Sequence, residues 1–196
     1  MSGSSHMDPE MFNMVLDTLN KLQKERLTLQ VKLDMDKAGV FPTELIHFML
    51  GPEVALHLIF IPSEYGGLGA GARDIAVISE RMAKMDLAVA TSFLAICLGM
   101  DPIMVGATPA QKEKWVRKIA DEGLVVAYGV TEPEAGSNVQ SLKTKAERVL
   151  DASGKIVGYK INGQKQFITN GGVASVYTLL ADTPGGPSFF VKNIFR

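Results

Sequence analysis

Gly123-Leu124-Val125-Val126-Ala127-Tyr128-Gly129-Val130 is the stretch on which the reading of the fold turns. Before it, apolar residues recur at helical spacing; from it onward they come in short runs cut by turns. Residues 124–130 read as a short buried strand, followed by the irregular Thr131-Glu132-Pro133-Glu134-Ala135-Gly136-Ser137-Asn138. Over residues 142–149, Leu142, Thr144 and Ala146 interleave with Lys143, Lys145 and Glu147, the period of two that a strand requires. Residues 151–154 form a turn and 156–161 the next strand. Asn162-Gly163 is the strongest hairpin signal in the chain, because both residue types tolerate the positive φ of a tight primed turn. Residues 165–169 are expected to continue the sheet. Asn170-Gly171-Gly172 then turns the chain into residues 175–181, and a Pro/Gly turn at 184–187 precedes a last strand at 189–195.

Upstream the pattern is helical. Phe12, Val15, Leu16, Leu19, Leu22, Leu29 and Leu33 predict one amphipathic helix over residues 11–33, broken by Gly39, Phe41 and Pro42. Thr43 is placed to cap a second helix that Gly51-Pro52 ends. Residues 54–69 lead into the glycine-rich Gly66-Gly67-Leu68-Gly69, read as a tight loop between helices, since no βαβ unit surrounds it. Ile75, Ile78, Ser79 and Met82 mark a further helix. Residues 87–100 have no polar side and belong in the middle of a bundle; a run of about 14 apolar residues is too short to span a bilayer. Thr108-Pro109-Ala110-Gln111 has the form of a capping box with proline at the first helical position. Trp115 and Ile119 follow on that helix, which Gly123 ends.

Helices first and strands second predict an α+β chain, an N-terminal α-helical bundle domain over residues 8–123 and an incomplete antiparallel β-barrel or sandwich over 124–196. Residues 1–7, Met-Ser-Gly-Ser-Ser-His-Met, read as an expression-tag remnant, and His6 is set aside. The last apolar strand has no closing partner in the sequence. An exposed edge strand is a liability, so the chain is expected to be the front part of something longer, or to be covered by another chain.

Twenty basic and 21 acidic side chains give a net charge of -1 over 196 residues, which offers no footprint for a nucleic-acid backbone and no strong pull to an anionic membrane. Cys97 is the only cysteine, so neither an intrachain disulfide nor a cysteine-rich metal site can form. That usage suits a bacterial cytoplasm or an organelle matrix. His47 and His57 have no partners at metal-ligand spacing and read as surface or packing residues, with no metal expected. Cys97, in an apolar run, reads as a buried inert thiol. No Walker lysine, serine elbow or HExxH element is present. Gly136 and Ser137 can bring backbone N–H groups and a hydroxyl to a phosphate, but such turns are common and on the residues alone this one reads more readily as a plain loop. The residues alone thus offer a possible phosphate- and ring-binding surface without an evident acid, base or nucleophile.

Three stretches of the sequence resemble the acyl-CoA dehydrogenase family: residues 127–138, Asn162-Gly163-Gln164-Lys165-Gln166-Phe167-Ile168-Thr169-Asn170-Gly171-Gly172, and Ile61-Pro62-Ser63-Glu64-Tyr65-Gly66-Gly67-Leu68-Gly69. The resemblance covers almost the whole chain beyond residue 7. It implies a helical domain, a β domain and a further C-terminal helical bundle outside this sequence, with FAD held between the last two. By resemblance, Tyr128, Val130 and Thr131 line the flavin ring, Thr131 bonding its pyrimidine side. Gly136 and Ser137 approach the pyrophosphate, Ser137 also standing near the substrate. Thr169 reaches the ring near N5, and Phe167 and Ile168 pack beside it. The implied reaction removes the α proton of an acyl-CoA to a carboxylate while the β hydride passes to FAD, giving a trans-2-enoyl-CoA. Donors aimed at the ring stabilise its reduced form, and an apolar wall keeps water out.

The resemblance places the carboxylate base in the missing bundle, so no residue here is assigned a catalytic role, and Glu132 and Glu134 are read as turn residues. It also implies an electron-transferring flavoprotein as acceptor and a homotetramer. Phe167 stands where the family commonly has tryptophan, and Asn138 where aspartate is common. The first bears on redox tuning and partner docking, since a phenyl ring lacks the indole N–H. Two other readings stay open: a flavoenzyme of the same fold with different chemistry, such as hydroxylation or oxidation of an alicyclic thioester, and a non-catalytic assembly subunit.

Overall fold

The computed structural model describes residues 6–194. Six helices come first: α1 (Pro9–Glu25), α2 (Leu29–Ala38), α3 (Thr43–Leu50), α4 (Ala72–Met85), α5 (Leu87–Gly106) and α6 (Pro109–Glu122). Five strands follow: β1 (Val126–Gly129), β2 (Lys145–Leu150), β3 (Ile156–Asn162), β4 (Val176–Thr183) and β5 (Gly186–Asn193).

The helix predicted over 11–33 is two helices. Arg26 closes α1 with its N–H on Leu22 O, Leu27 turns into the core, and the Thr28 hydroxyl accepts from Val31 N to start α2. A single helix would have carried Leu27 off the buried face. α2 buries none of its residues, so the apolar period that continues through Leu29 and Leu33 does not mark packing. Thr43 begins α3 without capping it; the cap position is Pro42, and no side chain serves. At α6 the capping box forms as expected, Thr108 Oγ1 accepting from Gln111 N and Gln111 Oε1 from Thr108 N.

Residues 56–60 and 63–65 are short 3-10 turns, and the glycine-rich loop folds back on them. Leu68 N donates to Leu58 O, Gly69 N to Ile61 O and Ala70 N to Ile59 O. This return brings Gly67 so near residue 61 that a Cβ would lie 1.8 Å from Ile61 O, which excludes every other residue type.

α5 is the axis of the helical layer. It runs 20 residues, longer than its apolar run suggested, and by length and composition it could cross a bilayer; half of that span is buried in this protein, as befits a core helix. Phe93, Ile96, Met100 and Ile103 are buried along it, with α4, α6 and β1 packed around. Cys97 is half-buried, and burial first, then Asp101, pushes its thiol up to about 11, so it stays protonated. His57 is buried, with Nε2 on Ala120 O at 2.9 Å, and desolvation lowers its pKa, which keeps the ring neutral. His47 is exposed, and Trp115 packs half-buried on the core. Residues 1–5 of the stretch read as a tag remnant lie outside the described residues, whereas Met7 is buried and its N–H bonds Asp74 Oδ2 at 2.6 Å.

The sheet is mixed and not closed, where a wholly antiparallel arrangement was expected. β1 runs parallel to β4 (Val126 opposite Val176), β5 is antiparallel to β4, and β2 is antiparallel to β3. The β2–β3 hairpin joins β4 only through Lys145 opposite Asp182. The second departure concerns residues 162–169. Asn162-Gly163 is no hairpin, and residues 165–169 form no strand. Gly163 lies against Thr144, where a Cβ would stand 2.3 Å from Thr144 Oγ1, and bonds to the loop after β1 draw the following residues off the ladder. That displaced segment builds the candidate site.

Candidate cofactor site

Two loops meet beyond the end of β1. The first leaves the strand at Val130; the second runs from Gly163 to Gly172. Their main chains are joined by Gln166 N donating to Thr131 O at 2.9 Å. Beside that bond, Lys165 Nζ donates to Val130 O at 3.0 Å and to Glu132 Oε1 at 2.7 Å. Gly129, Lys165, Ile168, Gly171, Tyr177 and Leu179 line one cavity of about 320 Å³ at the junction.

Glu132 organises the first loop. Its carboxylate is buried and also accepts from Lys143 N at 2.6 Å and Thr144 N at 3.1 Å. Burial by itself would raise this carboxyl, but the Lys165 ammonium, with Thr144 and the N–H of Lys143, holds it at about 2. Reciprocal bonds between Glu132 and Ala135 close the tight turn 132–135 and carry Gly136 and Ser137 outward. Both are exposed, and a Cβ on Gly136 would meet no atom of the protein within 4 Å. Asn138 Oδ1 accepts from Gln140 N, an arrangement an aspartate could copy.

The second loop is held from below. Asn170 is buried with φ 65°, and its Nδ2 donates to Ser92 O on α5 at 2.8 Å and to Val126 O on β1 at 3.2 Å. Gly171 N donates to Ile168 O, and Tyr177 Oη to Gly171 O. So fastened, the loop presents Phe167 at 85% exposure with φ 55°, the left-handed region that a bulky residue seldom occupies. Thr169 is exposed and Ile168 half-buried on the core.

One main-chain bond, Gln166 N to Thr131 O, thus joins the loop that carries Val130 and Thr131 to the loop that carries Phe167, Ile168 and Thr169. Tyr128 is on β1 below these loops, its ring stacked on Phe189 at 5.7 Å between centroids. Ser137 and Gly136 are not drawn in: among the described residues, no hydrogen bond joins the Ser137 hydroxyl to either loop. Reading the residues missed Lys165 and Asn170 and took Glu132 for a turn residue only. The available signal was a glutamate and a lysine each within two positions of an expected ring contact, Glu132 beside Thr131 and Lys165 two positions before Phe167.

The donor set suits a flat, hydrogen-bonding ligand such as a flavin ring. Thr131 and Thr169 are neutral hydroxyls, Phe167 offers an unshielded aromatic face, and the buried charges on Glu132 and Lys165 cancel each other.

Comparison with known proteins bears on the same elements. Residues 9–123 match the family model for the acyl-CoA dehydrogenase N-terminal domain, and residues 127–193 the one for its middle domain. Cyclohex-1-ene-1-carbonyl-CoA dehydrogenase of Geobacter metallireducens is 36% identical over 82% of this chain, and the match spans 44% of that protein. A solved chain described under the electron transferring flavoprotein of Acidaminococcus fermentans superposes with a TM-score of 0.81 at 29% identity, covering 99% of this chain and 50% of its own. An acyl-CoA dehydrogenase of Bacillus anthracis complexed with FAD gives 0.76 at 27%, covering 96% and 32%. The chain thus spans half or less of the length of these relatives.

Proposed function

Since the chain belongs to the acyl-CoA dehydrogenase family, we propose that its protein is a FAD-dependent acyl-CoA dehydrogenase whose flavin rests on the loops 128–138 and 163–169. The observation that carries this reading is Phe167. A bulky residue in the left-handed region costs on the order of 1–3 kcal/mol, and such strain persists where the surroundings enforce it. Here Asn170 and the Gln166–Thr131 bond enforce it, and the outcome is an exposed aromatic ring on the loop that carries Thr169 and is bonded to Thr131.

In this reading Phe167 and Ile168 pack beside the ring and keep water from it, while Tyr128 and Val130 form its floor. Thr131 bonds the pyrimidine side and Thr169 the region of N5. Gly136 admits the pyrophosphate, and Ser137 bonds it and stands near the substrate. FAD, when bound, supplies the acceptor for the hydride that leaves the acyl β carbon. Glu132 is not the base that takes the α proton, because Lys165 and two backbone N–H groups already hold its lone pairs. The proposed base is a carboxylate outside these 196 residues. The same reading divides the chain into domains 8–123 and 124–196 and implies a homotetramer in a bacterial cytoplasm or organelle matrix.

The substrate is an acyl-CoA. The Geobacter relative, by its name, acts on an alicyclic thioester, which favours a ring-bearing acyl group as the second reading. An electron-transferring flavoprotein as acceptor is supported by the description of the Acidaminococcus structure. The test is to titrate the complete protein with FAD and then with straight-chain and alicyclic acyl-CoAs while following flavin absorbance. Stoichiometric FAD binding and bleaching by at least one acyl-CoA are expected. A complete protein that takes up no FAD would sink the reading. For the isolated 196-residue chain we expect weak or absent FAD binding and no turnover.

A further inference from the structure

The ion pair between Glu132 and Lys165 is nearly sealed from water, with side-chain exposures of 2% and 12% at an Nζ–Oε1 distance of 2.7 Å. Sealing two charges is expensive, and apolar residues of similar volume often serve stability as well. A pair retained in such a place is better explained by the arrangement it enforces. Its bonds reach two separate stretches of backbone, residue 130 and residues 143–144. Lys165 grips Val130 O as well as the carboxylate; the carboxylate takes the amides of Lys143 and Thr144. Immediately alongside, Gln166 N bonds Thr131 O.

We propose that Glu132 and Lys165 are a positioning pair for the cofactor: they set the register between loop 130–138 and loop 163–169, and with it the placing of Thr131 relative to Thr169. The inference rests on the flavin reading for what the two threonines face, but the register itself is a property of this chain. The residue next to Glu132 is Thr131, and the residue next to Lys165 is Gln166, whose amide closes on it. A slip of one position in either loop would exchange Thr131 for Val130 or Thr169 for Ile168, an apolar group for a hydroxyl. A charge-assisted bond at each side of the junction makes that slip costly. Because the charges cancel, the pair does this without placing a net charge beside the ring.

The test compares Glu132→Gln, Lys165→Met and the double variant in the complete FAD-loaded protein. Each single variant should weaken FAD binding about tenfold, the size of one lost charge-assisted bond, and speed hydrogen exchange at the Gln166 amide by a similar factor. Each single variant also strands a buried charge and loses thermal stability. The double variant strands none; it should regain that stability yet keep the weakened FAD binding and an altered visible circular dichroism of the bound flavin. A double variant with the parent's FAD affinity and dichroism would show the pair to be structural only and overturn the proposal, as would an unchanged Gln166 exchange rate in Lys165→Met. If the parent itself holds no FAD, the flavin reading falls, and the exchange rate separately decides whether the pair sets the loop register.

Discussion

β1 and β4 are walled in by α5 on one face, whereas β2 and β3 stand nearly bare, Ala146 being the one buried side chain in that hairpin. The backed end is fastened by more than apolar contact. Thr178 Oγ1 donates to Gly99 O on α5 at 2.8 Å, and Asn170 reaches Ser92 O on the same helix. Val126 and Val176, paired across the ladder, are both fully buried. The hairpin, in contrast, holds to β4 through one residue pair. One sheet thus contains a scaffold and an appendage, and the candidate site grows from the scaffold. A cofactor loop needs fixed geometry, which a helix-backed strand provides and a solvated hairpin does not.

The difference should be largest where α5 touches β1. A Cβ on Gly99 would stand 2.6 Å from Val126 Cγ1 and 3.3 Å from the Ala127 carbonyl carbon. Gly99→Val is therefore expected to destabilise by about 3 kcal/mol through overpacking. Gly158 on β3 has nothing within 4 Å of its would-be Cβ, and Gly158→Val should change stability by less than about 0.5 kcal/mol. Urea unfolding of both variants measures the contrast; equal effects would mean that the two ends are alike.

Acid should attack the joint between the two ends. Glu132 holds the start of β2 through the amides of Lys143 and Thr144, and its carboxyl sits at about 2, below an ordinary value of 4.5. The folded-state pKa is the lower one, so the unfolded chain binds the proton more readily. The contribution is then fully present above pH 4.5 and is lost as the pH falls toward 2. A loss on the order of 3 kcal/mol across that window follows from linkage. Hydrogen exchange at the amides of Lys143 and Thr144 should rise there, and Glu132→Gln should remove that pH dependence. A flat profile in the parent would deny the carboxylate its role.

Most of the scaffold was legible in the sequence and most of the joint was not. The apolar run of α5, the capping box at Thr108 and the change of rhythm at Gly123 are local signals, each complete within a few residues. The same rhythm failed at residues 27–28, where a buried Leu27 overrides the helical period, and at Asn162-Gly163, where local turn chemistry lost to distant partners. Lys165 bonds residues more than 30 positions away and Asn170 bonds Ser92 across 78. No window of sequence contains such a pair. Phe167 and Thr169 were reached through motif resemblance, and their setting emerges only when the predicted strand is seen to leave the sheet.

Asn170 separates conformation from bonding at the scaffold side of the site. Asn170→Gly keeps access to φ 65° but loses both Nδ2 bonds, and is expected to cost about 1–2 kcal/mol. Asn170→Asp also allows the backbone but sets a carboxylate against two carbonyl oxygens, so it should be the worse of the two. The reverse order in thermal unfolding would mean that the side-chain bonds contribute nothing.

The smallest effect belongs to the appendage. Lys145 pairs with Asp182 at 2.5 Å where the hairpin meets β4, yet the lysine side chain is 58% exposed. An ion pair in that setting is worth about 0.5 kcal/mol and is screened by salt. Lys145→Ala should therefore lower stability by about that amount at low ionic strength and by less in concentrated salt. Backbone pairing and the carboxylate of Glu132 would still hold the hairpin, since neither depends on the Lys145 side chain. If Lys145→Ala instead frees β2 and β3 to rapid exchange at neutral pH, then the surface pair, and not the buried one, joins the hairpin to its scaffold.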